Sequence, residues 1–266
     1  MTFKPTPGRL FLFSGPCVIE SLDQCLLIAR ELKSVCAGLG IDFAFKASFD
    51  KANRSSGGSF RGPGLTDGLV TLERVQEDIG VPVVTDVHEP EQAEVAGKVV
   101  DVLQIPAFLA RQTDLLVAAG LSKKCVHVKK GQFMSPAEMK LAVDKLKSTG
   151  NTNLILCERG TFFGYNRLVN DFGGLPTMKA NGFPVSFDVS HSTQQPAGLG
   201  NSSGGDPTLS PLLAHAAIAA GYDGLFIECH PDPKNAKSDA ATVLDLKAMP
   251  KLLEQCAKLF QVRKGF

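Results

Sequence analysis

Ten polar residues of reactive types occur along this sequence, each at or just beyond the end of a short apolar run. They are Cys17, Lys46, Lys51, Asp86, His88, Gln104, Lys129, Arg159, His191 and Glu228. Thiol, imidazole and carboxylate groups can bind a metal ion or transfer protons, and amines and guanidinium groups bind phosphates and carboxylates. No compact motif holds these residues together, so their chemistry depends on a fold that makes them neighbours.

The apolar runs alternate with stretches of helical spacing through most of the chain. Eight runs predict strands, at 10–17, 42–49, 82–88, 102–108, 124–130, 154–160, 184–191 and 224–230. Glycines at 40, 80, 150 and 221 are typical of helix ends. The segment 161–183 is rich in glycine and predicts an irregular connection.

Eight strands, each followed by a helix, predict an α/β fold, a (β/α)8 TIM barrel in which residues 1–266 form a single domain. A doubly wound open sheet is the alternative, but it usually has fewer strands, and the chain has no G-x-G-x-x-G turn. In a barrel the carboxyl ends of the strands converge on one mouth, where active sites of this fold lie. Residues distant in sequence would meet there, beneath the loops 53–64 and 194–207.

Composition excludes several classes of function. With 28 Lys and Arg against 27 Asp and Glu, the net charge is +1, so no basic field is available for nucleic acid. No apolar run approaches the ~20 residues of a membrane span, and the start of the chain lacks a signal-peptide cleavage site. The seven cysteines contain no CxxC pair, which indicates reduced thiols and a cytoplasmic protein. Five are expected to pack in the core, and Cys229 is expected to face away from the barrel interior; the five are Cys25, Cys36, Cys125, Cys157 and Cys256.

Basic side chains are predicted to crowd the mouth of the barrel. They are Lys46, Lys51, Arg54, Arg61, Lys129, Lys130 and Arg159. Like charges repel one another unless anions occupy the site, and Lys46 and Lys129 lie inside otherwise apolar strands. The pattern indicates small-molecule substrates that carry phosphate or carboxylate groups.

The same mouth would gather soft and hard metal ligands, from Cys17, His191, Glu228 and Asp239. A mixed thiolate, imidazole and carboxylate set suits a divalent transition metal such as zinc, iron or manganese. The spacing alone is weak, because free cysteine is commonly buried for packing. On the residues alone, a core role for Cys17 therefore stays open.

A series of motifs, in order along nearly the whole chain, resembles the 3-deoxy-D-manno-octulosonate 8-phosphate synthase family. The motifs are SGPCVIES (14–21), FKASFDKANRSS (45–56), TDVHEP (85–90), LQIPAFLARQTDLL (103–116), VKKGQF (128–133), LCERG (156–160), FDVSHS (187–192) and IECHPDP…KSDA (227–240). The resemblance implies a homotetrameric (β/α)8 barrel. It would condense phosphoenolpyruvate with D-arabinose 5-phosphate and water, giving 3-deoxy-D-manno-octulosonate 8-phosphate and inorganic phosphate for the inner core of lipopolysaccharide.

The resemblance also implies roles for individual residues. Cys17 and the segment 237–239 match the metal-dependent branch, with the divalent ion held by Cys17, His191, Glu228 and Asp239. The residues implied as catalytic are Lys46, Asp86, His88 and Asn53, and those implied as substrate-binding are Lys51, Arg54, Ser55, Gln104, Lys129 and Arg159. Asn53, Arg54 and Ser55 would bind the aldose phosphate, and Arg54 would reach into the mouth of a neighbouring subunit.

Three other functions compete with this interpretation. The first is 3-deoxy-D-arabino-heptulosonate 7-phosphate synthase, which uses a four-carbon aldose phosphate and usually has a K-P-R-T motif where this chain reads KANRS (51–55). The second is an aldolase that forms a Schiff base on a lysine at a strand end. The third is a sugar-phosphate binder without catalytic activity.

Overall fold

The computed structural model describes residues 2–52, 58–163, 165–196 and 204–265. Eight parallel strands form a closed barrel: β1 (Phe11–Gly15), β2 (Asp42–Lys46), β3 (Val83–Asp86), β4 (Val102–Ile105), β5 (Cys125–Lys129), β6 (Leu154–Glu158), β7 (Val185–Asp188) and β8 (Gly224–His230). Each strand pairs with the next, and β8 pairs with β1 with Gly224 opposite Phe11, which closes the barrel. The predicted (β/α)8 barrel is confirmed, with every strand inside its predicted run, and the open sheet is wrong.

Helices follow the strands and cover the outside of the barrel. They are α1 (Leu22–Leu39), α2 (Leu65–Ile79), α3 (Pro90–Ala96), α4 (Thr113–Leu121), α5 (Met139–Ser148), α6 (Leu175–Lys179), α7 (Ser210–Ala220) and α8 (Met249–Arg263). At the end of α1, Gly40 adopts a φ of 67°, a left-handed conformation that glycine adopts without strain. Before the short α6, Thr161–Phe162 and Leu168–Val169 form a hairpin, so the predicted irregular connection is confirmed.

Side chains alternate between the two faces of each strand, and this alternation positions the site. The outward row packs beneath the helices and includes Phe45, Leu156 and Ile227. The inward row begins with an apolar layer, which consists of Phe11, Phe13, Ala44, Val84, Val102, Cys125, Ile155 and Phe226. One or two inward-facing residues further toward the carboxyl ends of the strands, the side chains become polar. The barrel is thus a packed apolar core at one end and a charged cup at the other.

The N-terminal segment covers the apolar end of the barrel. The ring of Phe3 lies 5.1 Å from that of Phe13 and 6.3 Å from that of Phe11, measured between centroids. Asn153 Nδ2 donates a hydrogen bond to the Phe3 carbonyl at 2.9 Å, and Cys125 N donates to Thr2 Oγ1 at 3.2 Å. These contacts hold the segment against the ends of the strands and keep water away from the aromatic layer.

The cysteines lie where the sequence predicts. All seven are buried and none forms a disulfide. Cys229 belongs to the outer layer between strands and helices, facing away from the barrel interior, as expected. No helix in the part of the chain that the structure describes combines the length and the hydropathy of a membrane span.

We expect Phe3→Ala to destabilise the barrel by about 3 kcal/mol, because it removes a buried ring from the aromatic layer. The matched control is Phe163→Ala, since Phe163 is 68% exposed and should change stability by less than about 0.5 kcal/mol. Urea-induced unfolding, followed by circular dichroism, measures both. Equal stability losses for the two variants would show that Phe3 does not close the barrel.

Candidate active site

The carboxyl ends of the barrel strands bring ionisable side chains together in a buried cup. Lys46 ends β2, Asp86 ends β3, Lys129 ends β5 and Asp188 ends β7, while Glu228 lies within β8. All five side chains are almost inaccessible to solvent, with residue exposures of 6% or less. Lysine and carboxylate groups are rarely buried unless they are paired or bind a ligand, so this clustering identifies the mouth of the barrel as the site.

A buried ion pair joins Lys46 to Glu228. Lys46 Nζ donates to Glu228 Oε1 at 2.8 Å and to the Cys17 carbonyl at 3.0 Å. Burial acts to raise the pKa of Glu228, but the charges of Lys46 and His191 outweigh it and hold the pKa below its usual range. The carboxylate is therefore ionised. Its second oxygen, Oε2, is buried and has no hydrogen-bond partner among the described residues.

That second oxygen faces a cluster of potential metal ligands. Ligand atoms of Cys17, Glu228 and Asp239 all lie within 4.8 Å of one another, and Cys17 Sγ is 3.1 Å from Asp239 Oδ2. His191 Nε2 lies 3.7 Å from Glu228 Oε2 and 3.8 Å from Asp239 Oδ2. The structure thus gathers three of the four predicted ligands, Cys17, Glu228 and Asp239, and places His191 beside the last two.

The surroundings of His191 orient its ring toward the cluster. A one-turn helix, Val189–Ser192, follows β7, and the backbone N–H of His191 donates to Asp188 Oδ1 at 2.9 Å. His191 Nδ1 lies 2.8 Å from Asp188 Oδ2. A carboxylate beside one ring nitrogen is the usual support for a histidine that binds a metal through the other nitrogen. Here the other nitrogen is Nε2, the atom nearest to Glu228 and Asp239.

The loop after β8 places Asp239 with a constrained backbone. Its φ is 50°, in the left-handed region that residues with a Cβ seldom adopt, and its carbonyl accepts hydrogen bonds from Thr242 N and Val243 N. Glu20 Oε1 accepts from Lys237 N at 2.9 Å and so ties this loop to the loop that carries Cys17. Uncommon backbone conformations persist where the surrounding structure requires them, often at functional sites.

The residues of this cluster fit a divalent transition metal. A thiolate, an imidazole and two carboxylates are ligands for zinc, iron or manganese, and the unpartnered Glu228 oxygen is the kind of atom that a bound cation would satisfy. Without an ion, burial, followed by the charges of Asp239 and Glu228, raises the pKa of the Cys17 thiol well above its ordinary value. Binding of a cation would replace the thiol proton.

A second carboxylate, Asp188, connects the ligand cluster to Lys129. Lys129 Nζ donates to Asp188 Oδ2 and lies over the ring of Phe226, 3.2 Å from its centroid. Burial acts to raise the pKa of Asp188, but His191 and Lys129 outweigh it and keep the pKa below its usual range. The sequence analysis did not select Asp188, although its place in the FDVSHS motif, three residues before His191, was a signal for it.

The described part of the chain satisfies the buried side chain of Arg159 only in part. Arg159 is 4% exposed; Nη2 donates to Gln194 Oε1 at 2.8 Å, while Nη1 is buried and has no hydrogen-bond partner in the described chain. The backbone N–H groups of Arg159 and Gly160 both donate to Glu158 Oε1, at 2.9 and 2.7 Å. A fixed, buried guanidinium with a free N–H edge is suited to bind an anion.

Asp86 and His88 form a pair at the end of β3 and just beyond it. His88 Nε2 lies 3.2 Å from Asp86 Oδ2. Burial acts to raise the pKa of Asp86, but the hydrogen bond with His88 and the charges of Lys51 and Lys46 hold it well below its usual value. The pKa of His88 is raised by Asp86, although burial works in the other direction. Asp86 is therefore a fixed anion beside a histidine that keeps its proton more readily than usual.

Lys51 and Gln104 are the two other predicted site residues that lie within the described ranges. Burial would lower the pKa of Lys51, but surrounding acidic groups, among them Glu228 and Asp86, raise it well above its ordinary value. Gln104 lies on β4 opposite Asp86 on β3, with 4% of its surface exposed. The remaining predicted residues, Asn53, Arg54 and Ser55, lie outside the described ranges.

The predicted crowd of cations needs two corrections. Lys130 does not face the cup: it follows Lys129, so the strand turns it outward, where it donates to Thr161 Oγ1 at 2.9 Å and lies 3.5 Å from Glu158 Oε1. Arg61 is bound to Asp50, and its side chain is 57% exposed. Moreover, Lys46 and Lys129 already have carboxylate partners, so the cup is an array of alternating charges rather than a purely basic surface.

Comparisons with known proteins place the chain in a family. Residues 6–264 match the sequence model of the DAHP synthetase I family. The chain is 52% identical to the 2-dehydro-3-deoxyphosphooctonate aldolase of Protochlamydia amoebophila (strain UWE25), over 95% of this chain and 92% of the relative. It is 54% identical to the protein of that name from Cyanothece sp. (strain PCC 7425 / ATCC 29141), over 92% and 89%. For the protein of that name from Xanthomonas campestris pv. campestris (strain B100), the identity is 53% over 96% and 92%.

The name of these relatives is an alternative name for 3-deoxy-D-manno-octulosonate 8-phosphate synthase, so the resemblance seen in the sequence motifs is confirmed. The family model covers nearly the whole chain, and the relatives are 50–54% identical to it over 92–96% of its length. The chain is therefore an enzyme of the DAHP synthetase I family.

Proposed function

We propose that this enzyme condenses phosphoenolpyruvate with D-arabinose 5-phosphate and water, releasing 3-deoxy-D-manno-octulosonate 8-phosphate and inorganic phosphate for lipopolysaccharide synthesis. One observation carries the proposal. Two carboxylates link the buried lysines to the predicted metal ligands. Glu228 lies between Lys46 and His191, and Asp188 lies between Lys129 and His191. Anion binding and aldehyde activation would therefore occur side by side, as this condensation requires.

In this proposal the cations bind phosphoenolpyruvate. The Nη1 edge of Arg159 receives an oxygen of the phosphate or carboxylate, and Lys51, Lys129 and Gln104 contact the same substrate. Two phosphorylated substrates repel each other, and cations fixed in a buried cup offset this repulsion without rearranging during the reaction. The protein's own carboxylates keep these cations in place before the substrate arrives.

The reaction joins the enol carbon of phosphoenolpyruvate to the aldehyde carbon of the sugar. Water supplies the oxygen that stays on the adjacent carbon, and the carbon–oxygen bond to phosphate breaks as phosphate leaves. We assign Lys46 as a donor of hydrogen bonds to the oxygens that gain charge. Asp86 is too acidic to be an effective base, so it orients sugar hydroxyls, and His88 is the better proton carrier of the pair.

We further propose that Cys17, His191, Glu228 and Asp239 hold a divalent ion, such as zinc, iron or manganese, which places the chain in the metal-dependent branch. When bound, the ion would orient and polarise the aldehyde oxygen. The support is the fit of the four side chains, above all the buried oxygen of Glu228 that no described protein group satisfies. His191, held through Asp188, keeps the site oriented.

The assembly and the sugar phosphate site are also proposals. We propose a cytoplasmic homotetramer of single-domain barrels spanning residues 1–266. Asn53, Arg54 and Ser55 would bind the aldose phosphate, with Arg54 reaching the mouth of a neighbouring subunit. The resemblance in the sequence motifs supports these assignments.

Three competing functions have less support. A Schiff base on Lys46 or Lys129 would require the amine to leave a buried carboxylate, which would then lose its lysine partner. A heptulosonate synthase shares the family model, but the relatives at 50–54% identity carry the octonate name. A binder without catalysis would not need the ligand cluster.

Phosphate release tests the proposed reaction. With phosphoenolpyruvate and a divalent metal present, we expect release with D-arabinose 5-phosphate at least ~100-fold faster than with D-erythrose 4-phosphate, a difference that corresponds to about 2.7 kcal/mol in transition-state binding. A faster reaction with the four-carbon sugar would favour the heptulosonate synthase. No release with either sugar would favour a binder.

We expect Arg159→Ala to raise the KM for phosphoenolpyruvate by ~10- to 100-fold, because a hydrogen bond from a buried cation to an anion contributes ~1.5–3 kcal/mol. Arg74→Ala is the control, since Arg74 lies on the surface and pairs with Asp78 one helical turn away. Steady-state kinetics on both variants provide the measurement. A KM in Arg159→Ala equal to that of the control would remove Arg159 from the binding site.

Cys17→Ala should weaken the binding of a divalent metal by roughly 100-fold. The substitution removes a metal ligand, which costs at least as much affinity as the loss of a residue that supports a ligand. Cys256→Ala removes a buried thiol from α8 and should leave the metal affinity unchanged. Competition with a chelating dye measures both dissociation constants without reference to turnover. Equal metal affinity in the two variants would contradict the assignment of Cys17 as a ligand.

A further inference from the structure

A buried hydrogen-bonded chain crosses the barrel interior just beneath the cup. His127 on β5 is fully buried; its Nδ1 lies 3.1 Å from Gln104 Oε1 on β4, and its Nε2 lies 2.9 Å from Ser186 Oγ on β7. The imidazole packs against the edge of Phe13 and stacks on Phe226, with centroid distances of 5.0 and 6.1 Å. The proposed reaction makes no use of His127 or Ser186, and the ring has no freedom to turn.

The ring of His127 is neutral. Burial, followed by the charge of Lys129, lowers the pKa of His127 well below its ordinary value. A neutral imidazole carries one N–H donor and one acceptor nitrogen, so the two hydrogen bonds must run in the same direction along the chain. The chain therefore has two possible polarities.

In the first polarity, the Ser186 hydroxyl donates to the Leu156 carbonyl, 3.3 Å away, and His127 Nε2–H donates to Ser186. The Nδ1 atom is then an acceptor, so Gln104 must turn its amide and donate through Nε2. The carbonyl oxygen of Gln104 would be the group left to meet a ligand.

In the second polarity, the Ser186 hydroxyl donates to His127 Nε2, and His127 Nδ1–H donates to Gln104 Oε1. Both polarities use the 2.9 Å contact between Ser186 and His127, but only the second keeps the amide of Gln104 as the structure places it. The NH2 group of Gln104 is then the group left to meet a ligand. An anion requires such a donor, whereas a carbonyl oxygen would repel it.

We propose that His127 is a positioning residue, which holds the Gln104 carbonyl through Nδ1–H and thereby presents the Gln104 NH2 group to the anionic substrate in the cup. The inference rests on the proposed function only for the identity of that anion, phosphoenolpyruvate. The hydrogen bond from Ser186 selects the tautomer of His127 that is protonated at Nδ1. That proton is donated to the carbonyl of Gln104, which fixes the orientation of the Gln104 NH2 group. The backbone alone could not select which end of an amide meets the substrate.

The tautomer can be observed directly. In a sample labelled with 15N histidine, the signal absent from His127→Asn identifies His127 among the five histidines of the chain. We expect a neutral ring protonated at Nδ1 between pH 6 and pH 8. Protonation at Nε2 would reverse the polarity and overturn the proposal, whether or not the protein turns over any substrate.

Kinetics test the consequence for binding. His127→Leu removes the donor but fills the space, and it should raise the KM for phosphoenolpyruvate by ~10-fold while the KM for D-arabinose 5-phosphate and the metal affinity stay unchanged. His127→Asn keeps an N–H donor near the position of Nδ1 and should stay within ~3-fold of wild type. A structural role alone would affect both variants and both substrates alike.

A double-mutant cycle separates positioning from general damage. Adding His127→Leu to Gln104→Ala should have no further effect on the KM for phosphoenolpyruvate, because the group that is positioned has gone. Additive effects, or an unchanged KM in His127→Leu alone, would overturn the proposal. Calorimetric binding of phosphoenolpyruvate replaces KM if the wild type fails to release phosphate, so failure of the proposed function is distinguished from failure of this inference.

Discussion

The buried ion pair between Lys46 and Glu228 is the interaction on which the site depends. A lone charge in the barrel interior would cost several kcal/mol, so each partner requires the other. Yet the pair is asymmetric: Lys46 uses one oxygen of Glu228, and the other oxygen lies 3.7 Å from His191 Nε2 and has no hydrogen-bond partner among the described residues. The carboxylate that neutralises a cation is thus also the carboxylate available to a metal.

Asp188 repeats this arrangement on the other side of His191. It accepts from Lys129 and lies against His191 Nδ1, so a single carboxylate fixes an amine and a ring at once. The two shared carboxylates make the cup rigid before any substrate binds. Fixed charges in a site that excludes water contribute most to catalysis, because they need not reorganise as charge develops. Cation binding by the ligand cluster and anion binding by Arg159 would therefore be coupled through Glu228 and Asp188.

The sequence predicted the eight strands and the residues at their ends, because parallel strands and amphipathic helices have different periods and barrel sites lie at one end. Strand alternation could also have excluded Lys130 from the cup, since it follows the inward-facing Lys129. The same reasoning correctly predicted that Cys229 faces outward.

The pairing of the buried charges could not be predicted from the sequence in the same way. The pairs Lys46–Glu228 and Lys129–Asp188 join residues 182 and 59 positions apart, and nothing in the local sequence specifies which cation meets which carboxylate. The role of His127 could not be predicted for a related reason. Within β5 it is one of several inward-facing residues, and its hydrogen-bond partners, Gln104 and Ser186, lie on other strands.

We expect the cup to hold an anion against Arg159, beside lysines that the protein's own carboxylates have already fixed in place. A crystal structure of the enzyme with phosphoenolpyruvate tests it most directly. We expect a substrate oxygen within hydrogen-bond distance of Arg159 Nη1, with the Lys46–Glu228 and Lys129–Asp188 pairs retained. Phosphoenolpyruvate bound outside the cup, or bound only after those pairs had broken, would contradict it.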